Sequence, residues 1–231
     1  VATGVAGLAW VPVWLLTVRR VPLPAATGSG DGSAALARDW RLWALAAANV
    51  LMMTVYSLWM NWTTIFLESV HGLTMVEANR QFAWIPPVFA SLGGLSGGWL
   101  SMRWARAGVG LYAARFRVCV IGGVALTTTA LVPFVPGAAL ATALISLSFF
   151  MAVAMSVNIY AMPLDLFGAR RAAFAVSVLT ASYGLMQTLV SPLIGRLIDR
   201  FGFGPWCSVF GVLPLLALVL LAIVGRSRRT V

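Results

Sequence analysis

No lysine occurs in the 231 residues, and only six aspartates and glutamates stand against 16 arginines. Charged side chains make up 10% of the chain and apolar ones 61%; an average soluble domain has about 25% and about 45–50%. So little charge excludes a soluble globular domain, because a chain of this size has too small an interior to hide that much apolar surface. The two cysteines, Cys119 and Cys207, both fall inside apolar runs, which leaves no disulfide framework and no Cys-x-x-Cys metal signature. The single histidine, His71, has Glu68 three residues before it but no further acidic or thiol companion, which argues against a metal centre. No Walker A loop, His-Glu-x-x-His helix, dinucleotide-binding glycine pattern or Gly-x-Ser-x-Gly elbow is present. The residues therefore offer neither an enzyme's constellation nor a cofactor site. A formal charge of +10 would suit nucleic acid if the arginines formed a basic face on a soluble domain. Instead they punctuate apolar runs, where they anchor loops against anionic headgroups and set orientation.

Those runs are what the chain does have. The longest uncharged stretch covers residues 118–164, between Arg117 and Asp165. A membrane helix needs about 20 predominantly apolar residues, and seven segments come near or above that length: 2–18, 42–67, 82–102, 118–135, 138–164, 172–195 and 205–225. Continuous apolar runs such as 213–224 rule out the alternation of barrel strands, so helices must satisfy the backbone in lipid. The expected fold is an all-α membrane protein of seven spans. Residues 21–39, with Gly28, Ser29, Gly30, Asp31, Gly32 and Ser33, read as a flexible linker.

Arginine distribution sets the expected orientation. Arg19, Arg20, Arg38, Arg41, Arg103, Arg106, Arg115, Arg117, Arg170, Arg171, Arg226, Arg228 and Arg229 fall on one side of a seven-span arrangement, and Arg80, Arg196 and Arg200 on the other. The positive-inside rule then places the tail and the odd-numbered loops in the cytoplasm of a plasma (inner) membrane. The start of the chain falls outside, and there is no initiating Met or signal peptide. A preceding block of five spans would account for both.

Inside the spans, polar groups are few and grouped. Gly93, Gly94, Gly97 and Gly98 lie on one face of the third span, where small residues let helices approach closely. Pro86 and Pro87 nearby are candidates for a mobile bend. Tyr56 and Trp59 lie deep in the second span, where a tyrosine hydroxyl needs a partner or an aqueous cavity. Trp62 reads as an interfacial anchor. Asn158 in the fifth span has four hydrogen-bond positions to satisfy, so it bonds either to a neighbouring helix or to a substrate. Tyr183 and Gln187, four residues apart, form one polar patch on the sixth span. No span carries an Asp, Glu, Lys, Arg or His at its centre, where proton-driven carriers normally need an ionisable residue.

Gly97-Gly98-Trp99-Leu100-Ser101-Met102-Arg103, then Arg106-Ala107-Gly108 and Ala114-Arg115, resembles the loop between spans 8 and 9 of major facilitator superfamily transporters. Trp59-Met60-Asn61-Trp62 resembles the end of span 7, Phe82-Ala83-Trp84-Ile85-Pro86 the start of span 8, and Tyr160-Ala161-Met162-Pro163-Leu164-Asp165-Leu166-Phe167 the end of span 10. Tyr183-Gly184-Leu185-Met186-Gln187 with Ser191-Pro192-Leu193-Ile194-Gly195-Arg196-Leu197-Ile198-Asp199 resembles span 11 and its exit. The branch they most resemble is the anion:cation symporters, which include hexuronate, glucarate and galactonate permeases. The likeness covers spans 6 to 12 only. The family has an acidic residue where this chain has Met102.

The resemblance implies a span equivalent to the sixth at residues 1–20 and a cytoplasmic linker at 21–40. It also implies a six-helix transporter domain at 41–225 and a cytoplasmic tail at 226–231. It implies that Tyr56, Trp59, Asn158, Tyr183 and Gln187 bind substrate, and that Gly97, Gly98, Arg103, Arg106, Arg115, Asp165 and Arg171 form the cytoplasmic gate and loops. The expected partners are a small carboxylate substrate, membrane lipid and an amino-terminal six-helix half. Proton-coupled transport of a sugar acid-like organic anion is the leading reading. A drug or metabolite exporter of the same superfamily and a non-transporting membrane interaction protein or inactive fragment are the alternatives.

Overall fold

The computed structural model describes residues 11, 12, 14–17 and 35–227. The chain falls into two compact units, Val1–Gly32 and Ser33–Val231. The described residues of the first unit are helical; most of the expected first span lies outside the described residues, as do residues 21–34 of the linker. The second unit is built entirely of helices, with no strand among the described residues. This is an all-α membrane protein, as composition required.

Helix α1, Trp40–His71, starts at Asp39, whose carboxylate accepts from the Arg41 backbone N–H at 2.9 Å and caps the helix. The Arg41 guanidinium reaches back to the same carboxylate at 2.7 Å. That side-chain hydrogen bond holds the Asp39 carboxyl below its ordinary value. At the other end Gly72 adopts φ 68°, and its N–H returns to Glu68 and Leu67. Residues 35–37 already form a helical turn, and Leu36 is only 1% exposed. The end of the expected linker is therefore ordered: an apolar side chain enters the core just before the helix cap.

Thr74 and Glu77 form a capping box that starts the short helix α2, Met75–Gln81. Helix α3, Ile85–Arg106, begins just before Pro86 and Pro87. Prolines in a first turn remove no intrahelical bond, so they start this helix and do not bend it, contrary to the sequence expectation. Helix α4, Leu111–Leu126, continues as a 3-10 segment, Thr127–Phe134, and Gly137 at φ 80° turns the chain into α5, Ala138–Phe167. Two further helices follow, α6 (Ala169–Phe201) and α7 (Phe203–Ser227), joined at Gly202 with φ 74°.

Among the described residues, five stretches are long and apolar enough to cross a membrane: α1, Leu111–Phe134, α5, α6 and α7. Helix α3 is not among them. Its 22 residues reach about 33 Å at the usual rise, but its glycines and serines dilute its apolarity. Most helices outrun the apolar stretches that announced them; α6 extends past 172–195 at both ends. A helix satisfies its own backbone wherever it lies, so it need not stop where the hydrocarbon does.

The helices run up and down. At one end Arg115 of α4 meets Asp165 of α5, Tyr112 of α4 meets Leu221 of α7, and Arg41 of α1 stacks over Phe167 of α5. At the other end Phe66 of α1 packs on Phe203 of α7, and Trp62 of α1 lies against Gly195 of α6. Arg103, Arg106, Arg170, Arg171 and Arg226 belong to the first end, and Arg80, Arg196 and Arg200 to the second. The arginine asymmetry of the sequence thus becomes an asymmetry between the two ends of one bundle.

The most extensive helix pair is α3 with α5. A Cβ on Gly93 would fall on the Phe150 carbonyl, and one on Gly97 would lie 2.6 Å from the Ala154 Cα. Backbones this close are available only to glycine.

Candidate substrate-binding site

Three helices bring polar groups together in the middle of the bundle. On α6, the Gln187 side-chain amide donates to the Tyr183 hydroxyl at 2.9 Å, as their four-residue spacing allows. From α1, the Ser57 hydroxyl donates to the Gln187 carbonyl oxygen. Tyr56, next to Ser57, packs its ring edge-on against Phe149 of α5, with centroids 5.1 Å apart. Tyr56 and Tyr160, the latter on α5, both lie within electrostatic reach of Tyr183. Tyr56, Tyr160, Tyr183 and Gln187 are all half-buried, so each keeps an open side.

Asn49 sets the register of α6 against α1. It is fully buried, and its amide donates to the Leu179 carbonyl at 3.1 Å, one turn before Tyr183. That bond aligns the next turns of the two helices, where Ser57 and Gln187 meet. The cluster can offer hydroxyl and amide groups, both donating and accepting, but no fixed charge. It suits an uncharged, hydroxyl-rich portion of a solute.

Of the five sequence-predicted binding residues, Tyr56, Tyr183 and Gln187 converge here. The other two lie elsewhere. Trp59 is fully buried, edge-on to Phe66 at 5.3 Å, within an aromatic group that includes Phe203 and His71. Asn158 is fully buried between α5 and α3, and its amide donates to Gly97 at 3.1 Å and Ala154 at 2.8 Å. Of the two partners foreseen for Asn158, this geometry uses the neighbouring helix. Trp62 is also turned inward, its ring against Gly195 and its indole nitrogen buried, so it is not an interfacial anchor. A glycine on the facing helix leaves the room that draws it in.

Sequence reasoning missed Ser57, Tyr160 and Asn49 as members of this arrangement. The signal for Ser57 and Asn49 was weak: one small or amide side chain within a long apolar helix gives no period. Tyr160 was visible as a tyrosine near the end of the fifth span, but its proximity to Tyr183 is tertiary.

The sequence-predicted gate residues gather at the arginine-bearing end. Arg115 donates to Asp165 at 2.6 Å, and the Asp165 side chain is only 2% exposed. Arg103 stacks over Trp99 at 5.3 Å, while Arg106 and Arg171 are exposed. Gly97 is pressed against α5, whereas a Cβ on Gly98 would meet nothing within 4 Å. Met102 and Arg115 line one cavity of about 300 Å³ with Gly98, Ser101, Ala105 and Leu111. Arg115 takes its carboxylate from Asp165, and Met102 beside it in the same cavity offers none.

The chain is similar to hexuronate transporters. The hexuronate transporter of Escherichia coli (strain K12) is 29% identical to it over 194 residues, 83% of this chain and 44% of the relative. That of Escherichia coli O157:H7 gives the same figures. The chain spans less than half the length of these relatives. No protein-family model matches it. The resemblance to the anion:cation symporter branch, first read from the loops and helix ends, agrees with this likeness.

Proposed function

We propose that this chain supplies the carboxy-terminal wall of a secondary transporter for sugar acids such as hexuronates, with an amino-terminal six-helix half opposite it. The observation that carries this reading is the 29% identity to hexuronate transporters over 83% of the chain. The polar cluster of Tyr56, Ser57, Tyr160, Tyr183 and Gln187 supports it, because a hydroxyl-rich solute needs such partners in an apolar bundle. Helix α6 carries two of these residues, and only 17% of its most apolar stretch is buried, against 67% for α1. A second half facing α6 accounts for that uncovered face. The centres of the described spans hold no Asp, Glu, Lys, Arg or His, so the carboxylate's counter-charge and any proton-coupling group belong to the other half. The arginine-bearing end is cytoplasmic on this reading, and residues 41–225 form one rocking body.

Uptake of radiolabelled glucuronate by membrane vesicles holding this chain with an amino-terminal half tests the proposal. Gln187→Leu removes both hydrogen bonds of the cluster, each worth about 0.5–1.5 kcal/mol. The expected result is a fall of about tenfold in kcat/KM at an unchanged membrane level. Uptake kinetics equal to the parent's would remove Gln187 from the site. Uptake indifferent to an imposed pH gradient would exclude proton coupling.

A further inference from the structure

A second crevice lies away from the polar cluster, at the arginine-bearing end, between the start of α4 and the end of α7. Its volume is about 550 Å³. Gly110, Ala113, Ala222 and Gly225 border it, and their small size is what leaves it open. The floor is fixed by Tyr112, whose hydroxyl donates to the Leu221 carbonyl at 2.7 Å. Gly225 permits this, since a Cβ there would lie 2.7 Å from the Tyr112 ring. Arg226 stands at the crevice as an exposed cation and forms no ion pair among the described residues. The other described side chains along it, Phe116 and Leu221, are apolar.

We propose that this crevice binds an anionic phospholipid, its phosphate against Arg226 and its acyl region along the apolar wall of α4 and α7. Charge complementarity selects this occupant. The crevice opens beside two membrane-spanning helices at the end of the bundle where the arginines gather, and an apolar wall below a cation matches a lipid with a negative headgroup. A zwitterionic lipid would fill the same wall but gain little from Arg226, because its own ammonium group competes for the phosphate. A headgroup cation near the surface contributes a factor of about five in affinity.

Native mass spectrometry of the purified full chain tests this, after exposure to phosphatidylglycerol or phosphatidylcholine of matched acyl chains. Phosphatidylglycerol is expected to be retained, and phosphatidylcholine not. Arg226→Gln should weaken retention about fivefold, and Ala222→Phe should abolish it by filling the crevice with the charge intact. Arg200→Gln, at the opposite end, should change nothing. Equal retention of the two lipids would overturn the proposal, as would unchanged phosphatidylglycerol retention in Arg226→Gln. Displacement of the lipid by millimolar inorganic phosphate would show a site for the free anion and would equally overturn it.

Discussion

Gly93→Leu should unfold the bundle or separate α3 from α5, and even Gly93→Ala should cost about 1–3 kcal/mol or more. A Cβ at Gly93 meets the Phe150 backbone, not the end of a flexible side chain, so no rotamer change relieves the clash. Gly97→Ala meets the Ala154 backbone and should behave alike. It would also displace the Gly97 carbonyl from the Asn158 amide. Gly98→Ala is the control. Its Cβ enters open space, so stability should stay within about 0.5 kcal/mol of the parent. Thermal unfolding of the three alanine variants in one detergent checks this. The order Gly98 far above Gly93 and Gly97 is expected, and equal midpoints would refute the proposed close approach.

Breaking the ion pair at the arginine-bearing end should have the other large effect. Arg115→Gln leaves the nearly buried Asp165 carboxylate without its partner, which costs about 3–5 kcal/mol for an interior pair. Asp165→Asn strands a cation that is 20% exposed and can turn toward water, so its cost should be smaller. The double variant, Arg115→Gln with Asp165→Asn, should recover much of the loss, because no charge is then left buried. A double-mutant cycle on unfolding free energy measures the coupling. Additive losses would mean that the 2.6 Å contact contributes nothing to stability.

How much of this was legible in the sequence depends on how local the cause was. The helices were, because apolar runs of membrane length can satisfy their backbone in lipid only by coiling. Their ends were less so: α6 continues to Phe201 through Arg196, Asp199 and Arg200, polar residues that read as an exit. Pro86 and Pro87 were visible but ambiguous, since proline starts a helix or bends one according to where the first turn falls. The Tyr183–Gln187 pair was readable from spacing within one helix, and Tyr56 from the cost of a deep hydroxyl. Ser57, Asn49 and Tyr160 join the cluster through contacts between helices, 130 residues apart in the case of Ser57 and Gln187. Trp59 and Asn158 carried the same chemical signal as the residues that converge. Only the rotation of their helices, fixed by Phe66 on one side and the Gly93–Gly97 face on the other, turned them into the packed interior.

Single-cysteine accessibility in intact cells gives the sharpest check on the whole arrangement, with Cys119 and Cys207 replaced by alanine and one cysteine introduced in turn at Arg80, Arg106, Arg171 and Arg200. If apolar helices cross the bilayer with the arginine-rich end inside, a membrane-impermeant maleimide will label positions 80 and 200 directly. Positions 106 and 171 will then react only after permeabilisation. Labelling of 106 and 171 from opposite sides would contradict the account.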